Sequence, residues 1–234
     1  MVVKHFFVAS LLGLAACPDP ITPPPEAPPD AAPPEVLQRT DVLLVKAKQN
    51  PDLDLLLVID DSPSMIDKQN ALTRALPALQ AQLAAIPGGM PNLHVGVVTS
   101  DMGTSSSGGA PAPTIGSGPG SCSGTGKDGV LQTNGAAIQG AYVSTNRNGA
   151  ENFVGAFTDT VAKMIGVGAA GCGFEQPLSA MRAALTNTTA NAGFMRASAN
   201  LAVVVLSDED DCSVHDPRLF SATDTSLGPL QSFR

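Results

Sequence analysis

Two short segments of this chain, Leu53–Ile59 (LDLLLVI) and Leu201–Leu206 (LAVVVL), are apolar almost without interruption. A strand with one wet face alternates polar and apolar residues, whereas a short uniform run of Val, Leu and Ile reads as a strand buried on both faces. Such strands belong to parallel sheets, whose crossover helices cover both sides. A third run of the same kind, Leu93–Thr99 (LHVGVVT), follows the first after a segment with helical spacing, Met65–Ile86. In that segment Met65, Leu72, Leu76, Leu79 and Leu83 fall on broadly one side, and Pro77 is expected to kink or split the helix. Strand, helix, strand over about fifty residues is a βαβ unit, which brings both strand ends to the same edge of the sheet. The composition agrees, because 4% aromatic residues and no Trp leave a core of aliphatic side chains.

The remaining segments carry weaker signals. Asp101–Gly129, rich in Gly, Ser and Pro, is expected to be a long mobile loop, of a length usually reserved for function. Val130–Thr133 and Ala141–Ser144 are strand-like. Helices are expected over Glu151–Ile165, with a stripe of Phe153, Phe157, Val161 and Met164, and over Gln176–Leu185, opened by Pro177. Val42–Ala47 (VLLVKA) is a candidate edge strand.

The N-terminus reads as an address. MVVKHFFVASLLGLAAC opens with Lys4 and His5, continues as an apolar run to Ala16, and ends on small residues before Cys17. This is a secretion signal, too short to span a bilayer as a helix. Its ending, Leu14-Ala15-Ala16-Cys17, resembles the bacterial lipobox, which implies lipidation of Cys17 and a place in the cell envelope, periplasmic or outer-surface. From Pro18 to Pro34 nine of seventeen residues are proline, so residues 18–50 are expected to form a polyproline tether with the edge strand at its end. A net charge of −8 argues against a nucleic-acid partner, which needs clustered Lys and Arg.

Two of the buried strands run straight into acids: Ile59 into Asp60-Asp61-Ser62-Pro63-Ser64, and Leu206 into Ser207-Asp208. Both ends lie at the carboxyl edge of the sheet, where open α/β sheets hold their ligands. Ser62 and Ser64, at alternate positions after Asp60, can aim both hydroxyls at one point. Carboxylates with neutral hydroxyls suit a hard divalent cation, Mg²⁺, Ca²⁺ or Mn²⁺. The plainer alternative is that Asp60 or Ser62 caps the helix starting near Met65, with Ser64 and Asp67 as a capping box.

LDLLLVIDDSPSM resembles the opening strand and D-x-S-x-S motif of von Willebrand factor A domains, and LAVVVLSD resembles the strand supplying that family's distal Asp. The resemblance covers about Leu53 to Asp211 and implies a doubly wound, mostly parallel α/β sheet bearing a metal-ion-dependent adhesion site. By position, Asp60, Ser62, Ser64 and Asp208 match the ligands. The family's middle ligand, a Thr, is expected near Gly171–Gln176, where Glu175 stands instead. Glu175 in that place can bind the cation directly, bind it through water, or stand aside. After Asp208 no buried strand is evident, so residues 51–234 are expected to form a domain that lacks the family's last strands.

Three cysteines besides Cys17 fall in loops expected at the same edge, so one disulfide is expected there, with Cys122 and Cys172 the preferred pair and Cys212 left over. Zinc is disfavoured by the lack of any C-x-x-C, and the run Asp208–Asp211 lacks the spacing of an EF-hand loop. The expected function is therefore a lipid-anchored, non-enzymatic module that binds a protein partner through a divalent cation, in adhesion or assembly. A metal-dependent phosphohydrolase with Asp60 as nucleophile is the alternative, although Ser62 stands where that chemistry wants a second Asp; a shortened chain without a function of its own is another.

Overall fold

The structure, a computed structural model, describes residues 50–104, 114–213, 216–220 and 226. The signal segment, Cys17, the proline tether and the strand expected at Val42–Ala47 lie outside the described residues. The elements are β1 (Asp52–Ile59), α1 (Ile66–Ala84), β2 (Asn92–Thr99), β3 (Val143–Thr145), α2 (Phe157–Ile165), α3 (Pro177–Thr186) and β4 (Asn200–Leu206), followed by a 3₁₀ turn at Pro217–Phe220. They form an α/β fold around one four-stranded sheet of order β3-β2-β1-β4. β1 runs parallel to β2 and β4, while the short β3 is antiparallel to β2.

Side-chain alternation divides the core in two. Leu55, Leu57 and Ile59 of β1 join Val95 and Val97 of β2 with Leu76 and Leu83 of α1 and Val161 and Met164 of α2. The opposite residues, Leu56, Val58 and Val98, pack with Ala180 and Ala184 of α3 and with Phe194. This two-sided burial explains the unbroken apolar run Leu55–Ile59 in β1.

The register pairs Ile59 with both Thr99 and Leu206, so the three parallel strands end level. Asp60, Ser100 and Ser207 therefore leave the sheet side by side. The join is closed by Asp60 N–H to Leu206 O at 2.9 Å and Ser100 N–H to Ile59 O at 3.2 Å. At the other end of the sheet, the buried Asp54 carboxylate accepts the Arg196 backbone N–H at 2.7 Å and its Nε–H at 2.8 Å. Arg196 also donates to Leu53 O and Asn92 O, so one side chain bridges β1 and β2.

Several expectations need correction. α1 runs unbroken through Pro77, which stands on an exposed side of the helix. The helix expected from Glu151 begins only at Phe157, because Gly155 takes φ +100° and interrupts it. Glu151 and Phe153 instead make isolated bridges to Thr145 and Ile138. Val130–Thr133 is no strand, being bracketed by left-handed Asp128, Gly129, Asn134 and Gly135. β4, read from its sequence as a strand buried on both faces, is an edge of the described sheet, with Leu201, Val204 and Val205 each more than 40% exposed. Its aliphatic run records β-propensity, which does not reveal how many neighbours a strand has. Among the described residues no helix is long and apolar enough to cross a membrane.

Candidate metal centre

The five residues singled out as metal ligands come from three places that the fold brings to one edge: the β1–α1 turn, the β4 end, and the turn before α3. Asp60 is buried and fixed on all sides. Its Oδ1 accepts the Ser62 N–H at 2.8 Å and the Ser100 hydroxyl at 3.2 Å, and its Oδ2 accepts the Ser207 hydroxyl at 3.1 Å. Gln69 of α1 donates from Nε2 to Asp60 O at 3.0 Å and to Gly168 O at 2.7 Å, which ties the turn to the segment after α2.

The Ser62 and Ser64 hydroxyls lie 3.3 Å apart, and Ser64 Oγ donates to Asp208 Oδ1 at 3.0 Å. A chain of oxygens thus runs from the first motif to the distal Asp. The capping alternative fails here, because α1 starts after Met65 without any side-chain cap. Ser64 turns its hydroxyl to Asp208 rather than to the helix.

Asp208 also meets a cation of the chain itself. Lys68 Nζ lies 2.8 Å from Asp208 Oδ2 and 3.2 Å from Asp67 Oδ1, and it donates to Ser64 O at 2.8 Å. The ammonium, with help from the Ser64 hydroxyl, holds the Asp208 carboxyl below its ordinary range. The same contact raises the Lys68 pKa.

Glu175 is the anomaly. Its side chain is 1% exposed, and neither carboxylate oxygen makes a hydrogen bond of acceptable geometry. Burial pushes its pKa up to about 7, reinforced by the charges of Asp60 and Glu209 and opposed by its own backbone N–H and the nearby Ser62 hydroxyl. A buried polar group without a partner is rare, and each case calls for a physical reason.

The segment bearing Glu175 is held by four devices. Gly171 N–H donates to Asp61 O at 2.8 Å, and a Cβ at Gly171 would fall 2.3 Å from the Asp61 carboxyl, so only glycine admits this approach. Gly173 N–H donates to Gly120 O at 2.9 Å, and a disulfide joins Cys122 to Cys172. Cys212 N–H donates to Glu175 O at 2.9 Å, with the Cys212 thiol left free. The described part of the loop expected to be mobile is therefore strapped to the site. Lys127 in that loop reaches Asp61 Oδ2 at 2.9 Å. Asp61 is wholly buried, its Oδ1 lacks a partner, and burial raises its pKa against the pull of Lys127.

Several contributors were missed from the sequence: Asp61, Lys68, Gln69, Ser100 and Ser207. Ser100 and Ser207 had a usable signal, since each directly follows an aliphatic strand, as Asp60 does. Lys68 stands four residues after Ser64, one helical turn on. Among the described residues no group of three or more His, Cys, Asp or Glu gathers as a metal site. The donor set is a mixed one, of hydroxyls and carboxylates, and such oxygen donors fit a hard cation such as Mg²⁺, Ca²⁺ or Mn²⁺. No protein-family model, curated protein or solved structure matches the chain.

Proposed function

We propose that this chain is a lipid-anchored envelope protein with a domain like von Willebrand factor A domains, doubly wound, that binds a divalent cation and through it a protein partner. Asp60, Ser62, Ser64 and Asp208 would hold the cation, with Glu175 beside Asp60 as a further ligand, direct or through water. The cation would supply an electrophilic point to which an acidic side chain of the partner can bind. Cys17 would carry the lipid and the proline segment would hold the domain off the membrane.

The observation that carries this reading is Glu175. Burying a carboxylate without a partner is strongly unfavourable unless it is protonated or a cation neutralises it. The Asp60 charge and the Ser62 hydroxyl both act on this carboxyl, and both belong to candidate ligands. A divalent cation there satisfies the orphaned oxygens and relieves the repulsion between Glu175 and Asp60 together.

The test is the thermal unfolding of the protein with chelator and then with Mg²⁺, Ca²⁺ or Mn²⁺. A cation bound only by the folded state at about a hundred times its Kd adds about 2.7 kcal/mol. For a domain of this size that corresponds to a rise of several degrees. Identical melting temperatures with chelator and with every cation would contradict the reading.

A further inference from the structure

We propose that Lys68 is a built-in competitor for the cation site: its ammonium neutralises Asp208 in the metal-free protein and must swing away when a divalent cation binds. This inference rests on the cation-binding reading above and concerns how that same site is regulated.

Lys68 sits in the first turn of α1, where the partial positive charge of the helix N-terminus disfavours a cation. Helix stability alone therefore gives no reason for a lysine at this position. What holds it is the site: Asp208 Oδ2 at 2.8 Å, Ser64 O at 2.8 Å and Asp67 Oδ1 at 3.2 Å. Two of these three acceptors belong to residues of the candidate donor set. Asp208 thus has its two oxygens divided, Oδ1 to the Ser64 hydroxyl and Oδ2 to Lys68.

A divalent cation drawing on Asp208 and Ser64 would face this ammonium at close range, and like charges so placed repel. The ammonium is free to leave. The Lys68 side chain is 36% exposed, and its ammonium ends a flexible four-carbon stem that can swing toward water. Asp67, exposed and adjacent in sequence, can receive it. Binding is then an exchange of a tethered monovalent cation for a free divalent one. Lys68 would set the concentration at which the site fills and would favour a divalent ion over a monovalent one, which gains too little attraction to displace it.

Calorimetric titration with Ca²⁺ and with Mg²⁺ tests this on the parent, Lys68→Met and Lys68→Arg, together with the melting temperature of each in chelator. Lys68→Met keeps the length of the stem and removes the charge, so it should bind the cation about tenfold more tightly at low salt. Lys68→Arg keeps the charge and should stay within about threefold of the parent. The advantage of Lys68→Met should shrink in about 1 M salt, where the Debye length falls to about 3 Å. A merely structural role for Lys68 would move the chelator melting temperature and would not give this salt dependence. Equal or weaker binding by Lys68→Met, with measurable binding by the parent, overturns the competitor role and leaves the cation site standing. Absence of binding in both proteins overturns the two together.

Discussion

Ser64 and Asp208, 144 residues apart in the chain, meet through a hydrogen bond of 3.0 Å. The contact follows from the level ends of three parallel strands. Because Ile59 and Leu206 share one register position, the residues that follow them must emerge together. A chemistry-bearing turn and a distal acid are thereby joined by sheet geometry alone, before any ligand is considered.

Reducing the Cys122–Cys172 disulfide should weaken both fold and site. The bridge closes a loop of 50 residues, so its chain-entropy contribution is about 4 kcal/mol. Cys172 lies three residues before Glu175, and losing the bridge frees the segment that presents that carboxylate. Denaturant unfolding with and without reductant measures the first effect, and cation affinity of the Cys122→Ala, Cys172→Ala double variant measures the second. An unchanged midpoint on reduction would contradict the strap.

The metal-free protein should lose stability as pH rises. Glu175 has its folded pKa raised from the ordinary 4.5 to about 7, so the folded state holds this proton more tightly than the unfolded chain does. Its contribution is fully present below about pH 4.5 and is lost as pH climbs through about 7. Glu175→Gln stays neutral throughout and should remove this slope. Melting curves in chelator across pH 5 to 8 provide the check, and parallel profiles for parent and variant would rule the effect out.

The Asp54 cluster should matter to stability and not to cation binding. Asp54 is 1% exposed and anchors Arg196 through both of its oxygens, far from the strand ends that carry Asp60 and Asp208. Asp54→Ala removes the carboxylate partner of the Arg196 guanidinium, which keeps Leu53 O and Asn92 O, and the acceptor of its backbone N–H, at about 3 kcal/mol. Chemical denaturation should show that loss while cation affinity measured well below the midpoint stays at the parent value.

Much of this organisation was legible in the chain itself. β1 and β2 could be read because burial on both faces leaves short, mostly aliphatic runs, and Asp60, Ser62 and Ser64 because they follow such a run directly. The placement of Asp208 followed from the same pattern at Leu201–Leu206. What escaped was whatever depends on neighbours that the chain does not encode locally. Val204 and Val205 look like core residues but stand on an exposed edge of the described sheet, since propensity does not count flanking strands. Lys68 and Asp61 looked like ordinary charges near a helix start, and their roles arise from partners 140 and 66 residues away. The start of α2 was misjudged because the stripe from Phe153 continues across Gly155, whose left-handed backbone breaks the helix.

Membrane attachment should depend on one atom. If the Leu14–Cys17 ending directs lipidation, Cys17→Ala removes the thiol that takes the diacylglycerol group, and the protein should move from the membrane to the soluble fraction. Retention of that variant in membranes at the parent level would contradict the anchor.

The most direct measurement for the cation site is a calorimetric titration with Ca²⁺, Mg²⁺ and Mn²⁺ on three proteins: the parent, Asp60→Ala and Asp210→Ala. Asp60 is buried at the centre of the oxygen cluster, whereas Asp210 is an exposed neighbour of Asp208. The account predicts one site in the parent, an affinity loss in Asp60→Ala of at least about a hundredfold, and an Asp210→Ala value within about twofold of the parent. Equal affinity in all three, or no heat of binding in the parent with any of the three cations, would contradict it.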